Sequence, residues 1–83
     1  MKIAWDEPKR LSNLDKHGMD FAEVTEEFLE QAVYYSGHRG RAVAVGELNG
    51  RIVAVIVAPL GSEAVSVISM RPANAKERKR RWS

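Results

Sequence analysis

The sequence predicts an α+β domain: an antiparallel sheet with helices segregated from it. Three observations carry this. Two β-rich runs, "RAVAVGEL" and "RIVAVIVA", flank Asn49-Gly50, the residue pair that favours a two-residue type I′ hairpin turn. A third run, "EAVSVISM", follows the turn-like "PLGS", so short connections make a three-strand meander. Helical signals lie before and after the meander.

Taken in order, "IAW" at 3–5 is a short apolar stretch that predicts a strand. "DEPKRLSNLDKHG" predicts a helix. Asp6 suits the N-cap, Pro8 the first turn, and Gly18 the left-handed C′ position. Leu11 and Leu14 share one face, and Lys16 and His17 fall in the last turn, where positive charge suits the helix dipole. "DFAEVTEEFLEQAV" at 20–33 predicts a second helix. Asp20 and Glu23 have capping-box spacing, and Phe21, Val24, Phe28 and Leu29 form its apolar stripe. Val33–Tyr35 suggests a further short strand and "SGHRG" a loop. In "VSVISMR", strict alternation puts Val65, Val67, Ser69 and Arg71 on one face, with Ser66, Ile68 and Met70 on the other. "RPANAKERKRRW" predicts a short last helix with capping-box spacing from Asn74 to Glu77.

The 83 residues allow one domain over 1–83 with a small core, burying about 60–65% of the unfolded chain's surface. There is no cysteine, which excludes disulfides and thiolate metal sites and is compatible with a cytoplasmic location. The N-terminal residues do not make a signal peptide, and no run is long enough to span a membrane. Net charge is +2, but residues 71–83 carry +5 and residues 1–70 carry −3. A basic end on a neutral-to-acidic body points to an anionic partner, or to a solvated tail.

Several pieces together resemble the BrnT family of type II toxins. They are "WD" at 5–6, Asn13 with "KHG" at 16–18, Phe21, Arg41, the glycine of "VAVG", "NGRIVAV" and "VISMRPANAKER". The resemblance implies a RelE-like ribonuclease fold and an RNA-cleaving toxin that inhibits translation. It also implies a BrnA-type antitoxin with a ribbon-helix-helix part, through which alone the pair would reach DNA. Pro72 and the Arg81–Trp82 end depart from the basic residue and tyrosine common in the family. A non-catalytic nucleic-acid- or antitoxin-binding module of the same fold is therefore the alternative.

Metal-free RNA cleavage needs a base for the 2′-hydroxyl, a charge to stabilise the phosphorane and an acid for the 5′-oxygen. His17 and His38 sit in no recognised ligand spacing, so no metal or other cofactor is expected. Arg71, at a strand end, suits a phosphate fork, or is a solvated charge. Arg41 opens the first meander strand and suits the same use, or guards an edge. His17 is a candidate for proton exchange, or a helix-end charge. Glu77 is a candidate base, or a cap. Lys16, Arg78, Lys79, Arg80 and Arg81 are candidates for RNA phosphate contacts, and Trp82 for stacking on a base or packing against the sheet.

Overall fold

The structure, a computed structural model, describes residues 1–82, with side chains as far as Lys79. The elements run β1 (Lys2–Trp5), α1 (Glu7–His17), a 3₁₀ turn (Phe21–Glu23), α2 (Glu26–Gln31), β2 (Val33–Ser36), β3 (Ala42–Leu48), β4 (Arg51–Leu60), β5 (Ala64–Pro72) and α3 (Ala75–Trp82). The sheet order is β1-β5-β4-β3-β2. The β3–β4–β5 meander and β2 pair antiparallel, as the turn signals imply. β1 departs from that pattern: it pairs with β5 in parallel, Lys2 opposite Ala64 and Trp5 opposite Val67. Beyond Val67, β5 has no strand on that side among the described residues. No helix among the described residues is long and apolar enough to cross a membrane.

Local chemistry explains most boundaries. The Asp6 carboxylate accepts from the Lys9 N–H, and the Gly18 N–H closes on the Leu14 carbonyl at 2.8 Å. Asn49 and Gly50 have φ of 53° and 79°, the positive pair that a type I′ turn demands. Asn74 and Glu77 form a complete capping box: Glu77 N–H to Asn74 Oδ1 at 2.8 Å, and Asn74 N–H to Glu77 Oε1 at 2.9 Å.

The core lies on one face of the sheet. Phe21, Val24, Phe28 and Leu29 pack there against Ala44, Val53, Val55, Val57, Val67 and Met70. Gly46 lets this layer close: a Cβ at that position would lie 2.9 Å from Cε1 of Phe28.

Two sequence expectations need correction, those for residues 20–33 and for β5, and α1 buries a side chain that the sequence did not single out for burial. The single helix expected over 20–33 is two elements. Val24 is extended, and the Thr25 hydroxyl accepts from the Phe28 N–H to start α2 afresh, while Asp20 caps only the 3₁₀ turn. The apolar stripe is buried as expected, because a turn and a helix can share one face as well as a single rod can. On α1, Leu11 and Leu14 are 52% and 37% exposed, and the side chain buried instead is Asn13. Finally, alternation along β5 is broken. Val57 pairs with Val67 and Ile56 with Ser69, so Ile68 is an extra, bulged residue. Val67 and Met70 therefore both face the core, and Arg71 is not on the face of Val65 and Val67 but on the opposite one. There it joins the cross-strand row Val33–Val45–Ala54–Arg71.

Candidate RNA-processing site

The bulged segment Ile68–Arg71 gathers the main candidates. Beside it, α1 lies against β5 and leaves a cleft of about 210 Å³ lined by Lys9, Ser12, Asn13, Lys16, His17, Ile68 and Ser69. Lys16 is exposed and His17 half-buried. No carboxylate lines this cleft among the described residues. The depressions beside the β3–β4 hairpin differ. One is lined in part by Glu23, Glu27 and Glu47, the other in part by Glu23 and Arg51. The α1–β5 cleft thus presents donors and cations where those depressions present carboxylates.

Asn13 joins the two elements. Its Oδ1 accepts from the Met70 N–H at 3.1 Å and the Ser69 hydroxyl at 3.3 Å, and its Nδ2 donates to the Met19 carbonyl at 3.2 Å. The amide is buried and uses both ends.

On the other face, Arg71 meets α3. Its Nη1 and Nη2 donate to Glu77 Oε1 and Oε2 at 2.8 and 2.9 Å, and Nη1 also reaches the Pro72 carbonyl at 3.3 Å. The Arg71 guanidinium, helped by the Asn74 N–H, holds the Glu77 carboxyl below its ordinary range. Glu77 in turn raises Arg71. The pair is a charge-assisted fork partly shielded from water, and Glu77 is at once cap and clamp.

The other candidates disperse. Arg41 closes the β2–β3 loop, donating its N–H to the His38 carbonyl at 3.1 Å and accepting from the Gly37 N–H at 2.9 Å. Ala42 pairs with Val57 and Arg71 with Ala54. Arg41 is thus displaced from Arg71 by roughly 13 Å along the strands, at about 3.3 Å per residue. Arg78 and Lys79 are exposed on α3. The side chains of Arg80, Arg81 and Trp82 lie outside the described residues. Among the described residues no three His, Asp or Glu side chains gather as a metal-ligating group.

Two features of the cleft escaped the sequence reading. Lys9 and Ser12 carried a legible signal, since with Lys16 they recur at helical spacing along α1. Asn13 stood out only through the family resemblance, although an asparagine inside a helix is itself a hint of a side-chain bond elsewhere.

Comparison with known proteins decides the identity of this scaffold. A family model described as "Ribonuclease toxin, BrnT, of type II toxin-antitoxin system" matches residues 5–77. The chain belongs to the BrnT family. Among solved structures it is similar to the Brucella abortus ribonuclease toxin BrnT, with 55% identity and a TM-score of 0.83 over 89% of this chain and 97% of that one. A search of curated proteins found no match. The parallel β1, the bulged β5 and the helices on the sheet are thus set in the fold of a BrnT ribonuclease toxin.

Proposed function

We propose that the chain is an endoribonuclease that cuts RNA at the bulged end of β5, without metal, and so inhibits translation in the cytoplasm. The observation that carries the reading is the convergence of two donor sets on four residues, Ile68–Arg71. The α1 cleft with Lys16 and His17 lies on one side of that segment, and the Arg71–Glu77 fork on the other.

In this reading Arg71 binds the scissile phosphate and stabilises the charge that builds on the phosphorane. Only two of its N–H groups are engaged by Glu77 oxygens, so donors remain for phosphate. His17 exchanges the proton that moves between the 2′-hydroxyl and the 5′-oxygen. Glu77, whose carboxyl Arg71 and the Asn74 N–H hold below its ordinary range, acts by fixing Arg71. Lys9, Ser12 and Lys16 follow the RNA backbone along α1. Arg41 serves a separate phosphate, and Arg78, Lys79, Arg80 and Arg81 add sequence-independent attraction, with Trp82 as a stacking candidate.

Membership of a type II family implies an antitoxin. A BrnA-type ribbon-helix-helix protein is the partner proposed, with DNA reached only through the complex. The test is cleavage of RNA by the purified chain in EDTA, with and without that partner, alongside growth after induction of the toxin alone. Cleavage that EDTA spares and antitoxin stops is the expected result. A soluble chain that neither cuts RNA nor arrests growth overturns the reading in favour of a binding module.

A further inference from the structure

We propose that Asn13 is a positioning residue for Arg71: it locks the β5 bulge that turns Arg71 away from the core and toward Glu77. This rests on the assignment of Arg71 to the scissile phosphate.

β1 ends at Trp5, opposite Val67, so among the described residues β5 has no strand past that point to take its outward N–H groups. The Met70 N–H falls there and is buried. Asn13 Oδ1 accepts it, together with the Ser69 hydroxyl, at the two residues that immediately follow the extra residue Ile68. The side chain's other end is tied to the Met19 carbonyl, just past the end of α1. The amide orientation is fixed by its partners, since an N–H needs the oxygen and a carbonyl needs the nitrogen.

The consequence concerns phase. Alternation has a period of two, so one inserted residue moves every later side chain to the other face. Without the bulge, Arg71 would lie with Val67 on the apolar core face. With it, Met70 fills the core and Arg71 lies opposite Ala54, where it meets Glu77. Asn13 sits 57 and 64 residues before the two groups it brings into register, Met70 and Glu77, and bonds to neither side chain of the Arg71–Glu77 fork.

The test compares Asn13→Ala with Asn13→Asp in the full-length chain. Aspartate keeps the acceptor for Met70 and Ser69, loses the donor to Met19 and places a buried negative charge beside that carbonyl. Asn13→Ala should lower kcat by about tenfold or more, with KM changed by less than about threefold, as expected when a reacting geometry loosens. Asn13→Asp should recover most of kcat, although both variants lose stability. The nitrogen NMR signals of the Arg71 guanidinium report the fork directly: slowed rotation in the parent and Asn13→Asp, free rotation in Asn13→Ala. Should Asn13→Ala not fold, Ser69→Ala removes one of the two bonds to Oδ1 and should show a smaller loss of the same kind. Unchanged kcat and an unchanged Arg71 spectrum in folded Asn13→Ala overturn the proposal, as does an Asn13→Asp variant that recovers neither. If Arg71→Ala cleaves like the parent, the site assignment fails. Asn13 is then judged on the spectrum alone: a lost fork upholds its positioning role and an intact fork removes it.

Discussion

Glu77 grips Arg71 with both carboxylate oxygens, at 2.8 and 2.9 Å, while the same carboxylate caps the helix that carries it. One acid thus fixes the start of α3 and the direction of the strand-end arginine. This ties the basic last helix to the sheet at the point where the candidate chemistry lies.

In the proposed mechanism the Arg71 fork stabilises the developing phosphorane, and Arg71→Ala removes it. Cleavage should fall about 10²-fold or more, or roughly 2.7 kcal/mol of transition-state stabilisation. Arg71→Lys should restore little, because one ammonium cannot reproduce a planar fork. Single-turnover rates at saturating enzyme measure this; a variant that cuts like the parent makes Arg71 a surface charge.

Glu77→Gln separates clamp from base. Glutamine keeps the capping box, since its carbonyl still accepts from the Asn74 N–H. It loses the charge on Arg71. The expected result is a fall in kcat smaller than that of Arg71→Ala, with the acid limb of the pH–rate profile retained. Disappearance of that limb would identify Glu77 as the base instead.

The sequence made the turns and caps legible and hid the site. Asp6, Gly18, Asn49-Gly50 and Asn74/Glu77 act through bonds to their own neighbours, so their roles can be read locally. The break at Val24–Thr25 was ambiguous, because Thr25 can start a helix or continue one and only packing decides. The bulge at Ile68 carries no glycine or other local mark. Asn13, more than fifty residues earlier, accepts from the Met70 N–H just past it, and the face of Arg71 follows from the bulge. On α1 the buried side chain is Asn13, while Leu11 and Leu14 are exposed.

Acid should unfold the domain through its N-terminal charge network. Arg10 and the Trp5 indole N–H bond Glu7, holding its carboxyl down from 4.5 to about 2, and the Ala22 N–H and Arg10 lower Asp20. Depressed acids contribute stability above their unfolded pKa and lose it as pH falls through the folded one. The Glu7 share is therefore present at neutral pH and lost between about pH 4.5 and pH 2. Glu7→Gln should lower Tm at pH 7 and flatten its decline over that interval, as followed by circular dichroism. A parallel downward shift at every pH would locate the acid sensitivity elsewhere.

Gly46→Ala tests how tightly α2 sits on β3. The added methyl would lie 2.9 Å from Cε1 of Phe28, which is itself 5% exposed and has little room to move. Overpacking of this kind costs about 1–3 kcal/mol. Phe28→Leu alone should also destabilise, by leaving a void. Combined, the two should cost less than their sum, because the smaller side chain makes room for the methyl. Urea melts of the four proteins measure the coupling; strict additivity would mean that the chain relieves the clash through its backbone.

The α1 cleft gives the proposed RNA path a test of its own, because its cations are separate from Arg71. Lys9 and Lys16 line it with Ser12, and no acid lines it among the described residues. A lysine that neutralises one phosphate releases condensed counterions, so each one removed should reduce the slope of log K against log salt by about 0.7 for a single strand. Lys9→Ala and Lys16→Ala should each show that change, and together about twice it, in fluorescence titrations of a non-cleavable RNA. Their single-turnover rates at saturation should stay close to the parent's, since neither touches the Arg71–Glu77 fork. Arg71→Ala should give the converse, with a large loss of rate and a slope changed by no more than one phosphate's worth. If Lys9→Ala leaves the slope untouched while Lys16→Ala reduces it, the RNA leaves α1 after its last turn. If neither variant changes it, the strand runs along α3 instead, and the cleft is not part of the path.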